Sequence, residues 1–556
     1  MGRSKPLQPP ESNFDSAHMP DLSVGLAPRR AAAAAWPRPA WPRALRAAGQ
    51  VDGAVALGLA AVALGLDLFR LPGLSLWGDE LFSVQLASRP WPVFWEFLSR
   101  YEPNMALYYV VLRGWLGLTS LLGIVPDELV VRVPSIFFAV LSVIVVFWIG
   151  RRFFGRTVGI VGALLYALNL IQLTAAREAR SYGLEMFLLC LGWYAFLLIV
   201  TRDRPGPRVY LGYIVAMALA IYAHLFSTLV LASQVITFAA LLSLDGDSRV
   251  RLRRSAGAFA RSVAAIGVAV IPMGAYFFRH GSTNAWLPPA DATGLVRLLW
   301  NVAGHQVIYG VLLGVAVLAV VVLAIRARGH RAKAAHAWPR LGPLIALGAW
   351  VCVPVALSYA ASQPRLNLHL FSWGYLIVVV PALCLLAGIS IAAIRRPLAR
   401  RAVATSLVAA AALAMPILTS APQQDFRTAA RWVEERYLPG DGLVATSWSS
   451  SLAMDYYVRI DGAPNELLAA SPAPWSWTAG GDQRLEQRAI AEYTVARHRI
   501  FLVDSPLEGD SPDVKARSWM ARTWFDSRYA LVSEIALPSA LGQVRVRLYD
   551  VEELLD

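Results

Sequence analysis

Between residues 51 and 419 the chain alternates long apolar runs with short polar breaks. The runs lie near 51–71, 133–150, 157–173, 183–200, 209–223, 225–243, 262–278, 307–325, 342–360, 373–393 and 402–419. Crossing a bilayer takes about 20 helical residues, so the pattern predicts a polytopic helical bundle of about eleven spans. The stretch 209–244 is too long for one of them, since as a single helix it would reach roughly 54 Å against a hydrocarbon core of about 30 Å. His224 interrupts it at the middle, which predicts a tight helical hairpin with His224 at its tip. Met105–Leu122 is also apolar enough to cross, but counting it as a span would reverse the side of every later loop. The expectation is a helix lying at the outer membrane face. From 421 the texture changes: DFRTAARWVEERYLPGDG reads as a helix ended by a Pro-Gly turn, and GLVATS, RIFLVDS, YALVSEIAL and VRVRLYDV read as strands. The predicted fold class is therefore mainly α, a membrane helical bundle over 51–420 closed by an α/β domain over 421–556.

Composition excludes a soluble assembly of several domains. Of the 556 residues 57% are hydrophobic and only 16% charged, with a mean hydropathy of +0.50, where soluble domains carry about 25% charged residues. The net charge of +14 admits nucleic-acid binding or cytoplasmic loops as its cause, and position decides between them. Arg151, Arg152 and Arg156, then Arg202, Arg204 and Arg208, then Arg249, Arg251, Arg253 and Arg254, then Arg326, Arg328, Arg331, Lys333 and Arg340, and finally Arg395, Arg396, Arg400 and Arg401 fall in every second loop. That is the bias of cytoplasmic loops, and it leaves no case for a nucleic-acid partner. It also sets the N-terminus inside and the C-terminal domain outside, with the large first outer loop at 72–132. Residues 1–50, rich in Pro, Ala and Arg, read as a disordered basic cytoplasmic tail rather than a cleaved leader. The near-exclusive use of Arg over Lys, with Ala-rich runs, points to a high-GC bacterium and so to its plasma membrane. Cys190, Cys352 and Cys384 all sit in apolar runs and form no disulfide framework.

The polar residues able to carry chemistry cluster in the loops read as outer ones. LWGDELFS places Asp79 and Glu80 just beyond the first span, between Trp77 and Phe82. Adjacent acids at a membrane face suit a general base or a metal ligand; equally, they suit a helix N-terminus. The same loop carries Glu102, Asn104, Tyr108 and Tyr109 along the edge of the surface helix, as substrate contacts or interface anchors. In AREARSYGLE, Arg177, Glu178, Arg180 and Tyr182 run against the charge bias that orients the chain; guanidinium groups there suit phosphate, or an Arg–Glu ion pair. His224, and Arg365 with His369 in SQPRLNLHLFSWGY, are further candidates, while Glu185 is expected to face the helix interior. No phosphate-cradling glycine loop, His-x-x-x-His pair or cysteine cluster is present. No outer loop has an Asp-x-Asp pair, so no cofactor and no required metal are expected, a divalent ion remaining open. A transporter or flippase for a lipid-linked or amphipathic substrate is the rival class; it would show internal repeats and helices broken near mid-membrane, and no repeat is visible. A non-catalytic envelope scaffold is a second.

Taken in order, LWGDELFS (76–83), PNMALYYVVLRGW (103–115), RVPSIFFAVLSV (132–143), RRFFGRTVG (151–159), AREARSYGLEMFLL (176–189) and YAHLFSTLVLASQ (222–234) resemble the GT-C superfamily of membrane glycosyltransferases. The similarity is to the bacterial dolichyl-phosphate-mannose-protein mannosyltransferase-like group (glycosyltransferase family 39, with the aminoarabinose and RgtA/B/C/D-like enzymes). DFRTAARWVEERYLPGDGLV resembles the outer domain that often closes such chains. The resemblance implies a sugar, mannose or another hexose or pentose, carried on a polyprenyl phosphate and passed to an envelope glycan, lipid or protein. It implies Asp79 as base with Glu80 beside it, and donor-phosphate and acceptor contacts from Glu178, Arg180 and Tyr182. Where the family usually shows His-Pro-Pro-Leu-Tyr-Tyr, this chain has Glu102-Pro103-Asn104-Met105-Ala106-Leu107-Tyr108-Tyr109. One base and direct displacement imply inversion at the sugar carbon. The 421–556 domain is expected to be accessory, recognising acceptor or covering the site, with donor binding surviving its deletion.

Overall fold

The computed structural model describes residues 41–71, 73–243, 247–280, 290–329, 338–366, 368–372, 374–413, 422–460, 487–495, 497–507 and 512–554. The chain divides into two units, Met1–Gly53 and Ala54–Asp556. In the first, residues 41–53 are helical and open α1 (Trp41–Leu68). Residues 41–50 of the expected tail are thus helical, as their Ala-rich sequence favours; residues 1–40 of it lie outside the described part.

After α1 the second unit continues with α2 (Gly78–Ser88), α3 (Trp91–Arg100) and α4 (Ala106–Leu121). The bundle follows as α5 (Glu128–Phe153), α6 (Arg156–Ala167), α7 (Leu170–Ala176), α8 (Tyr182–Thr201), α9 (Pro207–Ala223), α10 (Ser227–Ser243), α11 (Asp247–Ala269), α12 (Ile271–His280), α13 (Ala292–Val302), α14 (Val307–Gly329), α15 (Trp338–Ala361), a 3₁₀ turn (Tyr375–Val379) running into α16 (Val380–Ala392), and α17 (Pro397–Ala412). Among the described residues five helices are long and apolar enough to cross a membrane, in α1, α5, α8, α15 and the 3₁₀–α16 segment, or up to eight if bent pairs count as single spans. The pairs are α6–α7, bent by 64°, α11–α12 by 55° and α13–α14 by 95°. The shorter apolar helices α9 and α10 cover two further runs, and the run 402–419 overlaps α17 as far as Ala412, its residues 414–419 lying outside the described part. The break at 224–226 is real, but His224 is buried rather than a loop tip in water. Helix α4 covers the segment expected not to cross; at 16 residues it is no candidate span and packs on α2, α5 and α9.

Close helix contacts rest on glycine. A Cβ on Gly150 would lie 2.6 Å from the Gly159 Cα, so α5 and α6 touch backbone to backbone. A Cβ on Gly183 would lie 2.3 Å from the Ser135 carbonyl oxygen, which brings the start of α8 against α5. Small residues at such crossings are what membrane helices need in order to approach.

Past the bundle come α18 (Phe426–Glu434), β1 (Gly442–Ala445), α19 (Trp448–Ile460), α20 (Gln487–Val495), β2 (Arg499–Asp504), α21 (Pro512–Asp526), β3 (Tyr529–Ser539) and β4 (Gly542–Leu554). All four expected strands form one sheet in the order β1-β2-β4-β3, with β1 and β2 parallel and the other pairs antiparallel. Asp425 caps α18, its carboxylate accepting the Thr428 N–H at 3.1 Å. This region is packed against the chain that precedes and follows α2. Leu76, Leu81, Val84, Val131 and Ala179 share one buried core with Phe426, Ala429, Leu452, Ala453, Phe501 and Val546. The Tyr457 hydroxyl accepts the Leu76 N–H at 2.7 Å, Tyr456 donates to the Pro126 carbonyl at 2.6 Å, and Arg427 pairs with buried Glu128.

Candidate active site

The two adjacent acids of α2 have separate fates. Asp79 and Glu80 both fall in the first turn, behind Trp77. Glu80 is fully buried and all its acceptor capacity is used. Arg132 of α5 grips it with Nε–Oε1 and Nη2–Oε2 contacts of 2.7 Å each, the Ala179 N–H donates to Oε1 at 2.8 Å, and the Trp77 N–H to Oε2 at 3.3 Å. Arg132 also donates to the Leu74 and Ser75 carbonyls at 2.9 and 3.1 Å. A carboxylate with its lone pairs filled is a strut; this one joins α2, α5 and the 177–181 turn. Asp79 points the other way. Its side chain is 32% exposed, and Oδ2 stands 3.3 Å from Nη2 of Arg180.

Arg180 is the hub. The turn that carries it is tight, its N–H bonding to the Glu178 carbonyl at 2.7 Å, and its own carbonyl accepts the Ser135 hydroxyl at 3.0 Å. Ser135 in turn accepts from the Tyr108 hydroxyl at 2.9 Å. Burial opposes its charge, but Asp79 and then Tyr109, Tyr182 and Tyr375 hold the guanidinium well above its ordinary pKa. Its Nε has no partner among the described residues. Glu102 lies within its field: burial pushes that carboxyl up to about 7, with Arg180 opposing and Asp79 adding to the rise. Asn104 accepts the Leu225 N–H at 3.0 Å and so ties this edge to the α9–α10 break. The next residue, buried Met105, takes a left-handed φ of 65°, a strain of the kind that collects at functional sites.

His224 is held neutral, its pKa lowered to about 3 by burial and then by the Arg180 charge. Nδ1 accepts the Phe226 N–H at 3.3 Å, so the proton sits on Nε2, which has no partner among the described residues. Its ring lies 5.8 Å from Tyr182 and 5.0 Å from Tyr375. Glu185 does face inward, accepting from Ser227 at 3.0 Å. Glu178 is buried and its carboxyl pushed up to about 8, mainly by burial and then by Glu80; it accepts from Gln423 Nε2 at 2.5 Å.

The structure thus gathers Asp79, Glu102, Tyr109, Arg180, Tyr182 and His224 around one point. Two candidates lie apart. Arg177 turns to the end of α1, donating to the Phe69 carbonyl at 3.0 Å with Asp67 as its counter-charge. Arg365 is exposed in the turn after α15, and none of the described contacts joins it to Arg180. Sequence reasoning missed Arg132, Tyr375 and Gln423. Arg132 carried a usable signal, a lone arginine at the head of an apolar run, whereas Gln423 carried none. Among the described residues no group of three or more His, Cys, Asp or Glu could hold a metal ion.

The sequence pattern of the family described as dolichyl-phosphate-mannose-protein mannosyltransferase matches residues 115–276. The crystal structure of ArnT from Cupriavidus metallidurans in the apo state aligns over 90% of this chain and 98% of its own, at 14% identity and a TM-score of 0.51. The chain has the GT-C fold. ArnT bound to undecaprenyl phosphate aligns over 89% of this chain and 97% of its own, at 14% identity and a TM-score of 0.50. No curated protein sequence matches the chain. The GT-C likeness spans the bundle and the closing sheet alike, which agrees with the core they share.

Proposed function

We propose that this is an integral-membrane glycosyltransferase that moves a sugar from a polyprenyl phosphate to an extracytoplasmic envelope acceptor, with inversion at the sugar carbon. The Asp79–Arg180 contact carries the reading: a part-exposed carboxylate stands 3.3 Å from a buried, obligatorily charged guanidinium whose Nε has no partner among the described residues. That arrangement separates a proton acceptor from a phosphate holder at one reacting point. Asp79 takes the acceptor hydroxyl proton as the acceptor oxygen bonds to the anomeric carbon. The bond from that carbon to the phosphate oxygen breaks, its electron pair leaves with the polyprenyl phosphate, and Arg180 stabilises the charge that develops there. The lipid donor is supported by the match to the dolichyl-phosphate-mannose family pattern and by the likeness to ArnT, which has been crystallised with undecaprenyl phosphate. An outer-face site suits a sugar already carried across the bilayer on a lipid. The N-terminus is cytoplasmic and the sheet region outside in this reading, from the arginine bias of alternate loops. Arg180 supplies the charge, so no metal is required, and turnover should persist in excess EDTA.

The test uses purified protein, a radiolabelled polyprenyl-phosphate sugar and an envelope acceptor fraction. Asp79→Asn should lower turnover by at least about 100-fold with donor affinity kept. Arg180→Ala should weaken donor binding about 10- to 150-fold, with Lys at this position restoring only part of it, because the ammonium lacks the planar fork. Near-wild-type turnover in Asp79→Asn would overturn the assignment of the base.

A further inference from the structure

A second recess lies in the sheet region. A cleft of about 370 Å³ opens beside the carboxyl end of β2, lined by Asp504, Leu507, Lys515, Ser518, Trp519 and Arg522. Its position follows the topology: β1 and β2 are the parallel pair, Thr446 and Asp504 stand where they end, and ligands of α/β sheets settle outside such carboxyl ends. The floor is organised. Thr446 donates to the Asp504 carboxylate at 2.9 Å and pairs with the Ser518 hydroxyl at 3.0 Å. The rim is not a packed surface, since Trp519 leaves 58% of itself in solvent on α21 one turn from Lys515 and Arg522. The volume is within the range of small-ligand sites.

We infer that this cleft is a binding subsite for an anionic saccharide, the acceptor glycan of the reaction proposed above, on which that last identification rests. An indole face in water offers a platform for the C–H face of a pyranose ring. Asp504 and Ser518, held by Thr446 behind them, line the cleft and offer partners to ring hydroxyls, and Arg522 and Lys515 offer the charge that a uronate carboxylate or a sugar phosphate requires. One side chain connects this cleft to the acids of α2. Next to Asp504, the Ser505 hydroxyl accepts from Gln424 Nε2 at 2.8 Å, and Gln424 Oε1 accepts the Gly78 N–H at 3.0 Å, directly before Asp79. A glycan held at Trp519 is therefore registered on the loop that carries the base.

Calorimetric titration of the full chain in lipid nanodiscs tests this, with an oligogalacturonate, a phosphorylated maltooligosaccharide and its neutral parent as probes. Saturable binding of either charged probe, at least about 10-fold tighter than of the neutral one, is expected; which of the two binds better distinguishes carboxylate from phosphate. Trp519→Ala and Arg522→Gln should each weaken that binding about 10-fold or more, while both variants keep wild-type binding of undecaprenyl phosphate. No saturable binding, equal binding of the neutral parent, or variants that bind as wild type would overturn the proposal. The transfer reading is judged separately: Asp79→Asn should bind the saccharide normally, so a chain that binds glycan but turns over no donor sinks the reaction and leaves the subsite standing.

Discussion

At residue scale, the two neighbouring acids of α2 divide activity from stability. Removing Glu80's charge leaves Arg132 buried and unpaired, and breaking a buried pair from one side costs about 3–5 kcal/mol. Glu80→Gln should therefore lower the unfolding midpoint strongly, whereas Asp79→Asn, partly exposed and in a helix first turn, should leave it nearly unchanged. Thermal unfolding in detergent measures both. The sequence made this pair visible but could not tell its members apart, because the partner that decides, Arg132, is 52 positions away. Glu178 makes a pH prediction. Its folded pKa of about 8 lies above that of an exposed carboxyl, so between roughly pH 4.5 and 8 the folded state holds the extra proton and stability falls as pH rises. The slope is at most about 1.4 kcal/mol per pH unit. Glu178→Gln should flatten that decline, and identical pH profiles for variant and wild type would remove Glu178 as its source.

At the scale of elements, apolar run length made the spans legible, and the charge bias set α4 apart from them. What the runs did not disclose is bending. The 64° break between α6 and α7 follows Leu168 and Asn169, where the Asn169 side chain accepts the Ile171 N–H at 3.1 Å and starts a new helix. Such a cap is one polar residue inside an apolar run and leaves its mean hydropathy almost untouched. Nor does a sequence separate a glycine that lets helices touch from one that merely sits in a helix. Gly183→Ala should move α8 off α5, because its Cβ would meet main-chain oxygen, and carry Arg180 away from Asp79. Gly114→Ala, with nothing within 4 Å, should be neutral or stabilise by about 0.5–1 kcal/mol. Unfolding midpoints and donor binding of the two variants check the contrast.

At the scale of the whole molecule, the sheet region was legible as four strands, but the contacts that attach it were not. Its attachment runs through scattered groups: Gln423 on Glu178, Gln424 on Gly78, Tyr457 on Leu76, and an apolar core with members from both ends of the chain. Deleting residues from 422 onward should abolish binding of polyprenyl phosphate as well as turnover, since Glu178 and α2 lose their supports; retained lipid binding in a folded truncation would restore the accessory reading. The proposed orientation is checked with cysteine labelling, in a variant whose three native cysteines are replaced. A cysteine in place of Arg152 should react only after permeabilisation, and one in place of Trp519 in intact cells. The shared core has a further consequence for biogenesis. The acids near residue 80 emerge from the ribosome hundreds of residues before Phe426, Leu452 and Phe501, which complete the packing around Leu76 and Leu81. A nascent chain halted within the bundle thus holds its acids without the scaffold that aims them. Under the proposed function, competence arrives only when the last strands have docked, so an unfinished molecule stays silent towards the proposed lipid donor.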